Sequence, residues 1–262
     1  MGAHPPGIPN GSRQTRARAP HEVLALQATG FLREHYREPI SIHDLSDHLS
    51  YSPSQLTRSF TRAVGTPPIR YLASWRLHEA KRLLISEGLD VAEACYEVGY
   101  SSIGTFSRRF TRDVGLPPAA LRRSADWLAE VSLPPVSLLR PTTTRVRVRV
   151  VVPSTLREQL GTEPYQWVGT FPTPMPCGPP CTGTLRRGLV EVLLPVAPGA
   201  PWLQVALIPG GADVTEHLAP REPLVARPHR LSDHDDVVAV EVGPARPWEH
   251  PMLVALPALW PG

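Results

Sequence analysis

Of the 27 basic residues in this 262-residue chain, one is a lysine, Lys81. Any surface that meets an anion must therefore use guanidinium groups, planar forks suited to bidentate pairing, and not the point charge of an ammonium. Cysteine is also sparse. Cys95, Cys177 and Cys181 are too few for a disulfide framework. No run of about 18 apolar residues occurs, so no membrane-spanning helix is expected. Residues 1–20 carry Gly, Pro and Arg but no apolar segment, so they are expected to be a disordered tail and not a signal peptide. A cytoplasmic protein is the expectation. Catalytic patterns are missing as well. There is no Ser-His-Asp order, no glycine loop to cradle phosphate and no paired carboxylates in a motif. We therefore expect a non-enzyme, with no cofactor and no bound metal.

What is present is unevenly placed. Prolines number 32, yet between residues 20 and 134 only Pro39, Pro53 and two Pro-Pro pairs occur. That shift divides the chain into a helical domain at 21–123, a linker at 124–144 and a β-rich domain at 145–262. Charge divides it the same way. Residues 1–125 hold 16 Lys+Arg against 11 Asp+Glu, and residues 126–262 hold 11 against 13. The basic excess lies where a nucleic-acid partner would need it.

Within the basic half the sequence repeats itself. Phe60, Thr61, Arg62, Val64, Gly65, Pro67 and Pro68 recur 50 residues later as Phe110, Thr111, Arg112, Val114, Gly115, Pro117 and Pro118. Identity at one offset over so many positions marks an internal repeat. Each copy reads as a short helix with an apolar side and an arginine-bearing side. Ser52 caps the first, with Pro53 at the first helical position, and Ser101 or Ser102 caps the second. Leu56, Phe60 and Ala63 fall on one face, as do Phe106, Phe110 and Val114. Gly65 and Gly115 end the helices, and the Pro-Pro pairs prevent a restart. Ser41 with Asp44, and Asp90 with Glu93, open the shorter helices that precede each copy. A helix at 21–35 comes first. A longer one at 68–86, striped with Ile69, Leu72, Leu77, Ala80, Leu83 and Leu84, separates the copies. A last turn or two is expected at 119–123, with a separate helical piece at 125–131.

These two helix-turn-helix units, the linking Arg76, Leu77, Ala80, Leu83 and Leu84, the Val98-Gly99-Tyr100 turn and the Phe106 to Pro118 ending resemble the DNA-binding domain of the AraC/XylS family of bacterial transcription regulators. The resemblance covers residues 21–123. It implies that the helices near 52–64 and 102–114 enter successive major grooves of double-stranded DNA. Ser54, Thr57 and Arg58 would face bases in the first copy, and Ile103, Gly104, Thr105, Ser107 and Arg108 in the second. Arginine can donate two bonds to guanine, and Ser or Thr can bond either way. Arg62 and Arg112, with the helix starts at Ser52 and Ser102, would hold phosphates. RNA polymerase, and a small-molecule effector in the second half, are further partners the resemblance leaves open. Two departures stand out: Ser46 and Cys95 occupy positions where the family carries alanine, and Gly104 is a poor helix former.

The second half is expected to be an all-β domain, a small β-sandwich. Strands are expected at 145–152, 165–171, 189–196, 202–208, 237–242 and 252–256, and 196–206 faintly resembles the glycine-turn strand of carboxypeptidase-regulatory-like or transthyretin-like sandwiches. Cys177 and Cys181 read as an exposed loop that could instead form a redox pair, a metal site with His217, His229 or His234, or the reactive thiol of a sensor or repair activity. His250 reads as a surface residue. Trp167, Trp202 and Trp248 are either core or the walls of an aromatic pocket.

Overall fold

The computed structural model describes residues 18–130, 135–140, 142–232 and 234–254. The tail expected at 1–20, with Arg13 and Arg16, lies almost wholly outside the described residues. Seven helices come first: α1 (Pro20–Glu34), α2 (Ile42–Leu49), α3 (Pro53–Val64), α4 (Pro68–Ser86), α5 (Val91–Glu97), α6 (Ile103–Val114) and α7 (Pro118–Glu130). Their ends follow from local chemistry. The Ser41 hydroxyl accepts from the Asp44 amide while the Asp44 carboxylate accepts from the Ser41 amide, and Asp90 and Glu93 make the same reciprocal pair. Ser52 and Ser102 accept from Gln55 and Thr105. Each such cap stabilises by about 1 kcal/mol. Gly65 and Gly115 close α3 and α6 at φ of 85° and 101°, a region that favours glycine.

The expected pieces at 119–123 and 125–131 are one helix, α7. Its residues Leu121, Ala125 and Leu128 are buried, so an apolar stripe holds the chain helical past the repeat.

Two cores lie in this half, and α4 serves both. Its first turns give Tyr71 and Leu72 to a cluster with Leu24, Leu32, Leu45, Leu56 and Phe60. Its later turns give Leu77, Ala80, Leu83 and Leu84 to a cluster with Cys95, Val98, Phe106 and Phe110. Each such large side chain contributes roughly 1.5–3 kcal/mol when removed from water. Ser46 and Cys95 are both buried small residues, which is what the neighbouring helices leave room for.

The second half contains β1 (Val136–Leu138), β2 (Arg145–Val151), α8 (Ser154–Leu160), β3 (Tyr165–Phe171), β4 (Thr182–Arg187), β5 (Val192–Pro195), β6 (Trp202–Ile208), α9 (Val214–Leu218), β7 (Leu224–Ala226), β8 (His229–Arg230) and β9 (Val237–Pro244). The β-sandwich expectation needs correction. The strands form one sheet in the order β1-β4-β3-β6-β7-β9-β2-β5, with β8 on β6. All pairings are antiparallel except β2 with β9. The sheet curls into a half-barrel. Val146, Val148, Val168, Leu203, Val205, Leu207, Val238 and Val240 fill its concave side as one cluster. The Thr182 hydroxyl donates to the Pro195 carbonyl at 2.6 Å, drawing β4 toward β5. One inner face closing on itself removes the second sheet that a sandwich requires. Two helices also interrupt the strands, so the half is not all-β.

The convex side of β3 and β6 is covered too. Tyr165, Trp167, Phe171, Ala206 and Ile208 belong to the same cluster as Leu77, Phe106 and Phe110. The apolar run at β3 is therefore buried on both faces, while β2 alternates Val inward and Arg outward.

Residues 252–254, the described part of a further expected strand, form none. This segment lies along α4 instead. The Lys81 ammonium, fully buried, donates to the Met252 and Leu253 carbonyls, each at 3.1 Å. Arg33 and Tyr71 donate to the Glu249 carbonyl, and Arg82 donates to that of Ala219 at 2.7 Å. Backbone oxygens committed to α4 are not available to a neighbouring strand.

Burial pushes the Lys81 pKa down from 10.5 to about 7. Unfolded lysine holds its proton up to 10.5, so the unfolded chain binds more protons above pH 7 and stability rises with pH. Over pH 7–9 this one group should add up to about 1.4 kcal/mol per pH unit to unfolding free energy. Urea titrations of the wild type and Lys81→Met at several pH values should show that slope only in the wild type. Equal slopes would place the ammonium in solvent.

Candidate nucleic-acid interface

α2 packs on α1 and α3, and a left-handed Ser50 (φ 57°) turns the chain between α2 and α3. α5 and α6 are arranged alike around Gly99 (φ 81°). Leu56 and Phe60 bury one side of α3, and Phe106, Phe110 and Val114 bury one side of α6. Helical periodicity then turns the intervening positions outward. Ser52, Ser54, Arg58 and Arg62 are exposed, with Thr57 half-buried; Ser102, Ile103, Gly104, Thr105, Arg108 and Arg112 are exposed, with Ser107 half-buried. Arg108 lies back along its own helix. One guanidinium nitrogen is 3.5 Å from the Thr105 hydroxyl, and another lies beside Gly104. The helix-weakening Gly104 thus sits under a long cationic side chain.

The two copies differ in charge. Asp113 stands where the first copy has Ala63. Arg112 closes on Asp113 with two bonds, at 2.7 and 2.9 Å, and Arg109 approaches the same carboxylate at 3.7 Å. Among the described residues Arg62 has no ion-pair partner. A paired guanidinium has less to offer a phosphate, so the phosphate role expected of Arg112 is weaker on geometry than that of Arg62.

The β half docks at the C-terminal end of α6, and a cavity separates it from that of α3. The loop between β3 and β4 reaches α6, where the Gly178 amide donates to the Asp113 carbonyl at 2.8 Å. Gly178 has φ 72°, and a Cβ there would lie 2.7 Å from the Arg112 carbonyl oxygen, so glycine is required on two counts. Cys177 is consequently packed against the core and is not an exposed loop thiol. Burial first, and then Asp113, push its pKa up to about 11. Such a thiol stays protonated at neutral pH and makes a poor nucleophile. Cys177 and Cys181 are both free, and no cluster of potential metal ligands occurs among the described residues. His217 stacks edge-on against Tyr165 at 4.8 Å.

His250 is not a surface residue. Its ring packs edge-on against Tyr71 at 6.2 Å, Nδ1 donates to the Pro251 carbonyl, and burial lowers its pKa to about 4. With Trp167 and Trp248 it lines a cavity of about 360 Å³ beside the last turn of α3. Trp202 is not part of that wall; it pairs with Phe171 and Arg230 in the sheet. The sequence offered Trp167 and Trp248 as pocket walls, with Trp202 wrongly among them, but it missed the docking of the β half; the one visible signal of that was the Asp113 and Ala63 difference between otherwise matching repeats.

Short capped helices in pairs, each pair ending in an exposed, arginine-bearing helix, define a helix-turn-helix protein. Residues 45–124 match the model of a helix-turn-helix domain family, and they are a domain of the AraC type. The chain is 32% identical over 114 residues to an uncharacterized HTH-type transcriptional regulator, YdiP, of Escherichia coli K12, covering 44% of this chain and 38% of that protein. It is 29% identical over 104 residues to the HTH-type transcriptional activator RhaS of Citrobacter koseri, covering 40% and 37%. The chain thus spans less than two fifths of these relatives. A solved transcriptional regulator with an AraC-type DNA-binding domain, from Chromobacterium violaceum, aligns at 25% identity and a TM-score of 0.39, over 40% of this chain and 93% of that one.

A thiol moved from 9.0 to about 11 loses roughly a hundredfold of its thiolate at neutral pH. Alkylation of the native chain with iodoacetamide, followed by peptide mass spectrometry, should label Cys177 roughly a hundredfold more slowly than in the urea-unfolded chain. Labelling at the unfolded rate would show that the loop is not docked.

Proposed function

We propose that this chain is a sequence-specific, DNA-binding transcription regulator whose two helix-turn-helix units read successive major grooves, α3 in one and α6 in the next. The observation that carries this reading is the distribution of exposure along both helices. The β half packs against the C-terminal end of α6 and borders a cavity at that of α3, yet Ser54, Arg58, Thr105 and Arg108 nearer their N-termini are exposed. The repeat, the AraC-type domain and the regulators it is similar to all support it. Residues 21–123 form the DNA-binding part and residues 145–262 a sensing or interaction part.

Arg58 and Arg108 are the principal base readers, each suited to the O6 and N7 of a guanine. Ser54, Thr57, Thr105 and Ser107 supply shorter contacts. Arg62, and the backbone amides beside Ser52 and Ser102, hold phosphates. With Lys81 buried, every basic side-chain contact to the backbone falls to arginine. The shared core makes α4, α6 and the sheet one packed unit, so a change in the β half reaches the readers through packing and not through a slack tether.

The alternative is a thiol-based sensor or repair activity at Cys177 or Cys181; burial raises the Cys177 pKa, which disfavours that thiol as the nucleophile. The DNA reading is tested by selecting the preferred site from random duplexes and measuring affinity on it. Arg58→Ala and Arg108→Ala should each cost about 1–3 kcal/mol on that site and relax the preference at one base pair. Equal losses on selected and random DNA would remove them from base reading. Arg62→Ala should reduce the slope of log affinity against log salt by about one.

A further inference from the structure

The cavity beside α3 has no role in the DNA contacts described above. Its volume, about 360 Å³, falls in the range of about 300–1,000 Å³ typical of small-molecule sites. The last turn of α3, from Arg62 to Gly65, forms one wall. β3, β6 and β7 form another, and the segment that Lys81 holds against α4 forms the third.

Its lining has a consistent chemistry. Trp167 and Trp248 offer flat surfaces, and Met175, Met252, Ala206 and Val225 fill between them. Two polar atoms in the lining residues are sealed from solvent without a partner. The Trp167 indole Nε1–H has no acceptor, and His250 Nε2 has no donor. Because a carbonyl only accepts, the bond to Pro251 places the imidazole proton on Nδ1 and leaves Nε2 as an acceptor. Neither atom has accessible surface, so both lie behind the cavity wall, and what the two rings offer the space is their flat faces. The charged lining is unbalanced. Arg62, Arg227 and Arg246 border the space against one carboxylate, Glu249, which already accepts from the Arg246 amide at 3.0 Å.

We propose that this cavity is a binding site for a small, largely apolar organic anion, an aromatic carboxylate or sulfonate. The ring lies among Trp167, Trp248 and the methionines, and the anionic group takes the arginine rim. Arg62 then belongs to two sites. An anion in the cavity competes with a DNA phosphate for the same guanidinium, so ligand weakens DNA binding. That coupling rests on the DNA reading; the site itself does not.

The full chain is titrated calorimetrically with 2-naphthoate and with its neutral counterpart 2-naphthalenemethanol, while the indole N–H resonance of Trp167 is followed. Saturable naphthoate binding that shifts this resonance is expected, with the alcohol at least roughly tenfold weaker, the value of one charge-assisted bond. Arg246→Ala should lose a similar factor for the acid alone. Val225→Trp, which fills the space, should abolish binding while its thermal unfolding remains cooperative. Equal binding of acid and alcohol, an unmoved resonance, or full affinity in Val225→Trp each overturns the site. In a second arm, anisotropy of a labelled random-sequence duplex should show naphthoate weakening DNA binding by the wild type but not by Arg62→Ala. Equal weakening in both would end the competition for Arg62. Failure to bind DNA at all would defeat the DNA reading while leaving the calorimetric result standing.

Discussion

One buried amino group ties the C-terminal segment to the helical half. Lys81 sits toward the C-terminal end of α4, the helix that completes both helical cores, and its side chain is fully buried. A buried polar group left without a partner costs free energy whether charged or neutral, so the group must find acceptors. It finds the carbonyls of Met252 and Leu253. The segment bearing them also brings Trp248 and His250 into place, and with them the third wall of the cavity. Arg33 and Tyr71 at the Glu249 carbonyl, and Leu253 and Val254 in the shared core, hold the same segment beside it.

The consequence is a molecule without a loose joint between its helical and β halves. The cluster that begins at Leu77 runs through Phe106 and Phe110 into Tyr165, Trp167 and Phe171 of the sheet. Arg82 binds α9 and Gly178 binds the end of α6. Densely packed interiors transmit displacement instead of absorbing it. A ligand that moved the sheet or the α3 terminus by a fraction of an ångström would therefore move a helix that carries Arg58. The two helices are not equivalent in this respect. α6 is tied through a backbone bond and its Arg112 is neutralised by Asp113, whereas the end of α3 borders open volume.

The helical half was largely legible before any coordinates. Capping residues, a 3.6-residue stripe and glycine stops are local signals, and α4 begins and ends where the stripe and the Pro-Pro pair place it. The second half was legible only in part. β3 and β6 have the bounds their apolar runs indicate, because strands are set by short-range pattern. Whether those strands make two sheets or one curled sheet depends on partners dozens of residues away, and the sandwich expectation failed there. The short strands β1, β7 and β8 carry too few residues to show a period.

The amino-acid order by itself determined where helices start and stop, which faces are apolar, and that two similar arginine-bearing helices exist, since each of these depends on neighbours within a turn or two. Only the tertiary structure decided that the lone lysine is an internal tether and not a surface charge. It also decided that Cys177 is a packing residue and that two tryptophans and a histidine enclose a space. Those roles are set by burial and by groups far along the chain, and a linear sequence does not show which distant carbonyl will meet which ammonium.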